Sequence, residues 1–135
     1  MEFDVLFKGL PLFLAYLALG LGLLIAFCVV YLWVTPQDEM RLIRAGNTAA
    51  VLSLGGAVLG FIVPLAMVIA HQAKLGNVVL WGVVAIVVQV LAFFVARALV
   101  SGLPKAIEDG KISVGAFAGL VSLAVGILNA ACQTD

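Results

Sequence analysis

What constrains this chain most is where its charges are missing. Residues 9–37 and 112–134 contain no Asp, Glu, Lys or Arg, and between 45 and 96 the only such charge is Lys74. A hydrocarbon core of about 30 Å is crossed by roughly 20 apolar helical residues. Four stretches meet that requirement, at about 10–34, 48–70, 78–100 and 112–131. With 65% hydrophobic and 10% charged residues, the chain lies well outside the soluble range, where about a quarter of residues are charged. Each run is continuously apolar, whereas a barrel strand would alternate, and an open sheet in lipid would leave its backbone amides unpaired. The expected fold is therefore all-α: a single transmembrane domain over 1–135, forming a four-helix bundle with the bilayer as its first partner.

The connections, about 35–47, 71–77 and 101–111, are too short to form a catalytic domain outside the membrane. The flank MEFD is acidic and the first apolar run is long, so that run reads as a retained span and not a cleaved signal. Arg41 and Arg44 lie in the first connection, and Arg97, Lys105 and Lys111 flank or occupy the third; Lys8 and Lys74 lie on the opposite side. This bias places connections one and three in the cytoplasm and both termini outside. In that topology Cys28 and Cys132 sit at opposite faces of the membrane and cannot bond within one chain.

The chain also reads as a duplication. At an offset of 66, Asn47 falls on Ser113, Ala49 on Gly115, Ser53 on Gly119, Gly56 on Ser122, Gly60 on Gly126 and Pro64 on Ala130. The connections correspond with a slip of two residues, LIRAGN matching AIEDGK. A two-span unit returns to its starting side, so the copies, 10–70 and 78–131, are expected to be parallel hairpins related by an axis along the membrane normal.

Lipid supplies no hydrophobic drive between helices, and small residues four apart let backbones approach. Ser53, Gly56 and Gly60 in span two, and Gly115, Gly119, Ser122 and Gly126 in span four, form such helix-packing stripes. The stripes predict contact between spans two and four, within one chain or across a homo-oligomer. Asn47 and Ser113 stand where helices start and are read as N-caps. Gln89 in the middle of span three and Asn129 near the end of span four are intramembrane polar groups that need partners or line a route. Pro64 should bend span two, and Arg97 should snorkel. Glu39, Arg41 and Arg44, with Asn47, are read as a hydrated cytoplasmic surface, which a protein partner or anionic lipid could dock on.

No catalytic constellation, cofactor motif or metal-ligand spacing is present. His71 has no Cys or carboxylate near it in sequence, the glycines lie inside spans and not in a phosphate loop, and no basic stripe suits nucleic acid. The absence of Asp or Glu from the spans speaks against proton-coupled pumping.

Three segments carry a resemblance: TPQDEMRLIRAGNTAAVLSLGGAVLGFIVPL at 35–65, the Trp81 to Gln89 pattern W-G-x-x-A-x-x-x-Q, and GILNAAC at 126–132. They resemble the YjfL-like family of small bacterial inner-membrane proteins, assigned to a domain of unknown function. The resemblance implies a four-span inner-membrane protein with two copies of a short domain, and it carries no chemistry. It directs attention to Glu39, Asn47, Pro64, Gln89 and Asn129. The first functional expectation is a non-enzymatic, oligomeric membrane component acting through assembly or partner docking, in envelope maintenance. The alternative is a passive channel or carrier for ions or small solutes.

Overall fold

The computed structural model describes residues 2–71 and 73–133. Six helices follow one another: α1 (Glu2–Val34), α2 (Glu39–Arg44), α3 (Thr48–Ala70), α4 (Leu75–Leu99), α5 (Leu103–Glu108) and α6 (Ile112–Cys132). Four of them, α1, α3, α4 and α6, are long and apolar enough to cross a bilayer. The protein is an all-α membrane helical bundle. The expected spans are matched in place, although α1 begins eight residues before its expected start. Its 33 residues extend about 50 Å, further than a bilayer core is thick.

α3 and α6 form the centre, packed along almost their whole length, with α4 against both. The small stripes are what allow this. A methyl group added to Gly56 would fall on the backbone of Gly119, and one added to Gly115, Gly119 or Gly126 would meet the carbonyl oxygen of Ala49, Leu52 or Gly60. The stripes are thus used up inside one chain and are not available to join copies. α1 lies outside this pair and buries a single line at fourfold spacing: Leu23, Phe27 and Tyr31. Phe27 stacks on Phe61 with ring centroids 4.6 Å apart, and Tyr31 meets Phe93 edge-on at 5.9 Å. Beyond that line α1 is held by the Tyr16 hydroxyl, which donates to the Ala73 carbonyl at 2.6 Å. Pro64 lies inside α3 without interrupting it.

The short helices α2 and α5 were not anticipated from the sequence. Each is amphipathic over barely two turns, too brief for a periodic signal. Each buries an apolar side directly under the bundle: Leu42 in α2, and Leu103 and Ile107 in α5. Gly46 and Gly110, with φ of 87° and 79°, each end the segment that follows a short helix; such left-handed backbone suits glycine.

These glycines are 64 residues apart, whereas the packing stripes are 66 apart, so the N-caps follow the shorter offset. Asn47 caps α3: its Oδ1 accepts from the Ala50 amide at 3.0 Å, while its Nδ2 donates to the Ile107 carbonyl at 2.7 Å. Ser113 does not cap α6. Lys111 occupies the cap position, where an ammonium cannot accept a hydrogen bond, and Ser113 lies exposed within the helix. Asn47→Ala should cost about 1–2 kcal/mol, since it loses the cap of α3 and the bond that Asn47 Nδ2 makes to the Ile107 carbonyl, which keeps the Gly110 amide as its other donor. Ser113→Ala should stay within about 0.5 kcal/mol. Unfolding the two variants side by side in detergent checks the difference.

Candidate functional site: a buried polar cluster at the connection end

Below α1 the chain turns through TPQDE before α2 begins, and burial alternates along it. Thr35, Gln37 and Glu39 point inward, at 5%, 1% and 0% exposure, while Pro36, Asp38 and Met40 face outward. The alternation comes from the bends at residues 35–37 between the two helices. Here the inward positions carry polar side chains where a packing segment would carry apolar ones. Asp38 caps α2 by accepting from the Arg41 amide and pairs with the Arg41 guanidinium on the surface, at 3.8 Å. This holds Glu39, the first residue of α2, in the interior.

The carboxylate Oε1 accepts from Gln37 Nε2 at 3.1 Å, and the Thr35 hydroxyl faces the same carboxylate. Oε2 has no hydrogen-bond partner among the described residues, nor do Thr35 Oγ1 and Gln37 Oε1. No Lys or Arg reaches Glu39 in an ion pair; the pairs among the described residues are the exposed Arg41–Asp38 and Lys105–Asp109. Burial pushes the Glu39 carboxyl up from its ordinary value to about 7, only partly opposed by Thr35 and Gln37.

Deeper in the bundle the phenol of Tyr31 faces the Ser53 and Ser122 hydroxyls and lies within the field of Glu39. Ser53 and Ser122 are both buried, and Ser53 Oγ is unpartnered. Gln89 is completely buried; its Nε2 donates to the Ser122 carbonyl at 3.0 Å and its Oε1 is unpartnered. Gly60 leaves room for this amide, because a Cβ there would stand 2.6 Å from Gln89 Nε2. Residues from α1, the following turn, α2, α3, α4 and α6 thus form one polar cluster reaching from the bundle end to the middle of α4. Towards the chain termini the interior turns apolar, with Leu65, Val68 and Val78 buried.

The structure corrects one expectation directly. Glu39 cannot belong to a hydrated docking surface, because the turn after α1 folds it under the bundle, while Arg41 and Arg44 remain exposed. The bundle therefore does hold a buried acid, which no span contains in sequence. Ser53 and Ser122, expected as packing residues, lie at the α3–α6 seam and also turn hydroxyls to Tyr31. Asn129 is remote from the cluster, towards the other end of α6, with Nδ2 buried and unpartnered. His71 bonds back to the Met67 carbonyl at 2.7 Å.

Sequence reading missed Thr35, Gln37 and Tyr31. The signal that could have found the first two is T-x-Q-x-E, polar residues in alternation right after an apolar span. A second signal is the comparison of the two short helices: 64 residues after Glu39 stands Leu103, the buried first residue of α5. The short helix α5 begins on a buried leucine and α2 on a buried carboxylic acid.

Residues 5–133 match the family described as Domain of Unknown Function (DUF350). The chain belongs to that family. It is similar to the UPF0719 inner membrane protein YjfL of Escherichia coli (strain K12), 36% identical over 122 residues that cover 90% of this chain and 92% of the relative. The YjfL protein of Escherichia coli O157:H7 matches to the same extent. The UPF0719 transmembrane protein YshE of Bacillus subtilis (strain 168) is 25% identical over 119 residues, 87% of this chain and 89% of the relative. No solved structure matches the chain. It is a membrane protein of a family without an assigned activity.

Proposed function

We propose that this protein is a non-catalytic ion-handling membrane protein, a passive carrier or gated channel for small positive ions, whose entry site is the cluster around Glu39. The observation that carries this reading is a carboxyl with no exposure, no cationic partner and a free oxygen, set among hydroxyl and amide oxygens. Burying such a group costs several kcal/mol unless a positive charge or a proton accompanies it, so it is not explained by packing. The charge bias of the connections puts this end in the cytoplasm and the termini in the periplasm. Tyr31, Ser53, Ser122 and Gln89 continue the polar surface inward. The Phe27–Phe61 stack and the apolar residues beyond it form the barrier that has to move.

The test is flux through purified protein in liposomes. Glu39→Gln and Gln89→Leu are each expected to lower cation or proton flux at least about tenfold, with Asn129→Leu reporting whether the route continues to the far end. Correctly assembled liposomes that stay tight to a panel of ions would overturn the reading.

A second reading, assembly or docking, is favoured by α1, which leaves most of its surface uncovered and bounds an apolar groove of about 490 Å³ with α3. It predicts that substitutions along that groove change the oligomeric mass and leave flux untouched.

A further inference from the structure

We propose that the cluster is a binding site for an alkali-metal cation, held by the Glu39 carboxylate together with the neutral oxygens of Thr35 and Gln37. This rests on the ion-handling reading and names its ligand class.

Three observations converge on a cation of this kind. Every unpartnered atom in the cluster is an oxygen: Glu39 Oε2, Thr35 Oγ1, Gln37 Oε1, Ser53 Oγ and, further in, Gln89 Oε1. Gln37 turns its amide nitrogen to one carboxylate oxygen, which leaves its own oxygen for a positive ligand. An all-oxygen donor set selects hard cations over transition metals, and among the described residues no three His, Cys, Asp or Glu side chains converge as a softer site would need. The charge count then separates monovalent from divalent ions. Glu39 is the one carboxylate in the cluster, so a single positive charge makes the buried site neutral, whereas a divalent ion would leave a net charge away from water.

The geometry of the turn supports a built site. Thr35, Gln37 and Glu39 present their side chains inward from alternate positions of the turn between α1 and α2, and Pro36 and Asp38 between them are exposed. The cluster is buried at the connection end, directly beneath the exposed Pro36 and Asp38. Leu103, the buried first residue of α5, shows that a leucine serves such a place when packing alone is required. The group facing Glu39 that could also titrate is the phenol of Tyr31, and among the described residues no basic side chain pairs with the carboxylate.

The experiment is thermal unfolding of the purified full-length protein in detergent at pH 8, in lithium, sodium or potassium chloride against N-methylglucamine chloride at equal ionic strength. At least one alkali salt should raise the Tm of the wild type saturably, by about 4 °C at about ten times Kd. Glu39→Gln and Glu39→Leu should melt at one temperature in every salt, the leucine variant guarding against an unfolded glutamine variant. Equal melting of the wild type in all four salts, or the same salt shift in both variants, would overturn the proposal; the first result would leave Glu39 a protonation site. Liposome flux is read separately. Stabilisation without flux keeps the cation site and rejects transport, and flux without stabilisation does the reverse.

Discussion

Gly126→Leu and Gly56→Leu are expected to abolish the folded bundle, with a loss of more than about 4 kcal/mol each. The reason is that both positions meet backbone. A side chain at Gly126 collides with the carbonyl of Gly60, and one at Gly56 with the Cα and carbonyl of Gly119. A flexible side chain can rotate away from an added methyl group, whereas a helix backbone can only move as a whole. Moving it would open the entire α3–α6 seam, on which α4 and, through Phe27 and Phe61, α1 are packed. Gly22 and Gly55 have open space where a Cβ would stand. Changing either to alanine should be neutral or stabilise by up to about 1 kcal/mol, by the ordinary helix preference. Unfolding in mixed micelles compares the four. A Gly126→Leu protein that melts like wild type would show that the α3–α6 contact is not what holds the molecule together.

The second large effect is on the pH dependence of stability. In the unfolded chain Glu39 ionises near its ordinary 4.5, and in the fold it does so at about 7. A carboxyl whose folded value is raised imposes no penalty below the lower figure. The penalty grows as pH rises between the two values, and it is complete above the upper one. At 1.4 kcal/mol per pH unit, the wild type in N-methylglucamine buffer should lose about 3 kcal/mol between pH 4.5 and 7. Glu39→Leu should show no such loss and should be the more stable protein at pH 8. The measurement is a denaturation series across that range, and a wild-type curve as flat as the variant's would mean that the carboxyl is not buried as described.

Several features were legible because they depend on local composition. Uninterrupted apolar runs gave the spans, since lipid leaves no alternative to a helix at that length. The spacing of Ser53, Gly56 and Gly60 against Gly115, Gly119 and Gly126 indicated which helices would meet. The Asn47 cap was legible for the same reason. Ser113 misled because the packing stripes of α3 and α6 lie 66 residues apart while their cap positions, Asn47 and Lys111, lie 64 apart, and a single offset cannot serve both. Glu39 misled for a different reason. A carboxylate beside two arginines, just outside a span, has the pattern of a hydrated interface, and only the backbone path after Val34 turns it inward.

By itself, then, the sequence determined that this protein crosses a membrane four times and pairs its second and fourth spans. Both follow from the cost of placing polar groups in hydrocarbon and from the small size of glycine. The tertiary structure decided that the pairing closes within one chain, which removes the stripes as a ground for self-association. It also decided that Thr35, Gln37 and Glu39 meet Tyr31, Ser53, Ser122 and Gln89. Those residues are up to 91 positions apart, and no local propensity couples them. What joins them is the packing of α1 and α4 onto the α3–α6 seam, with α2 held against its end.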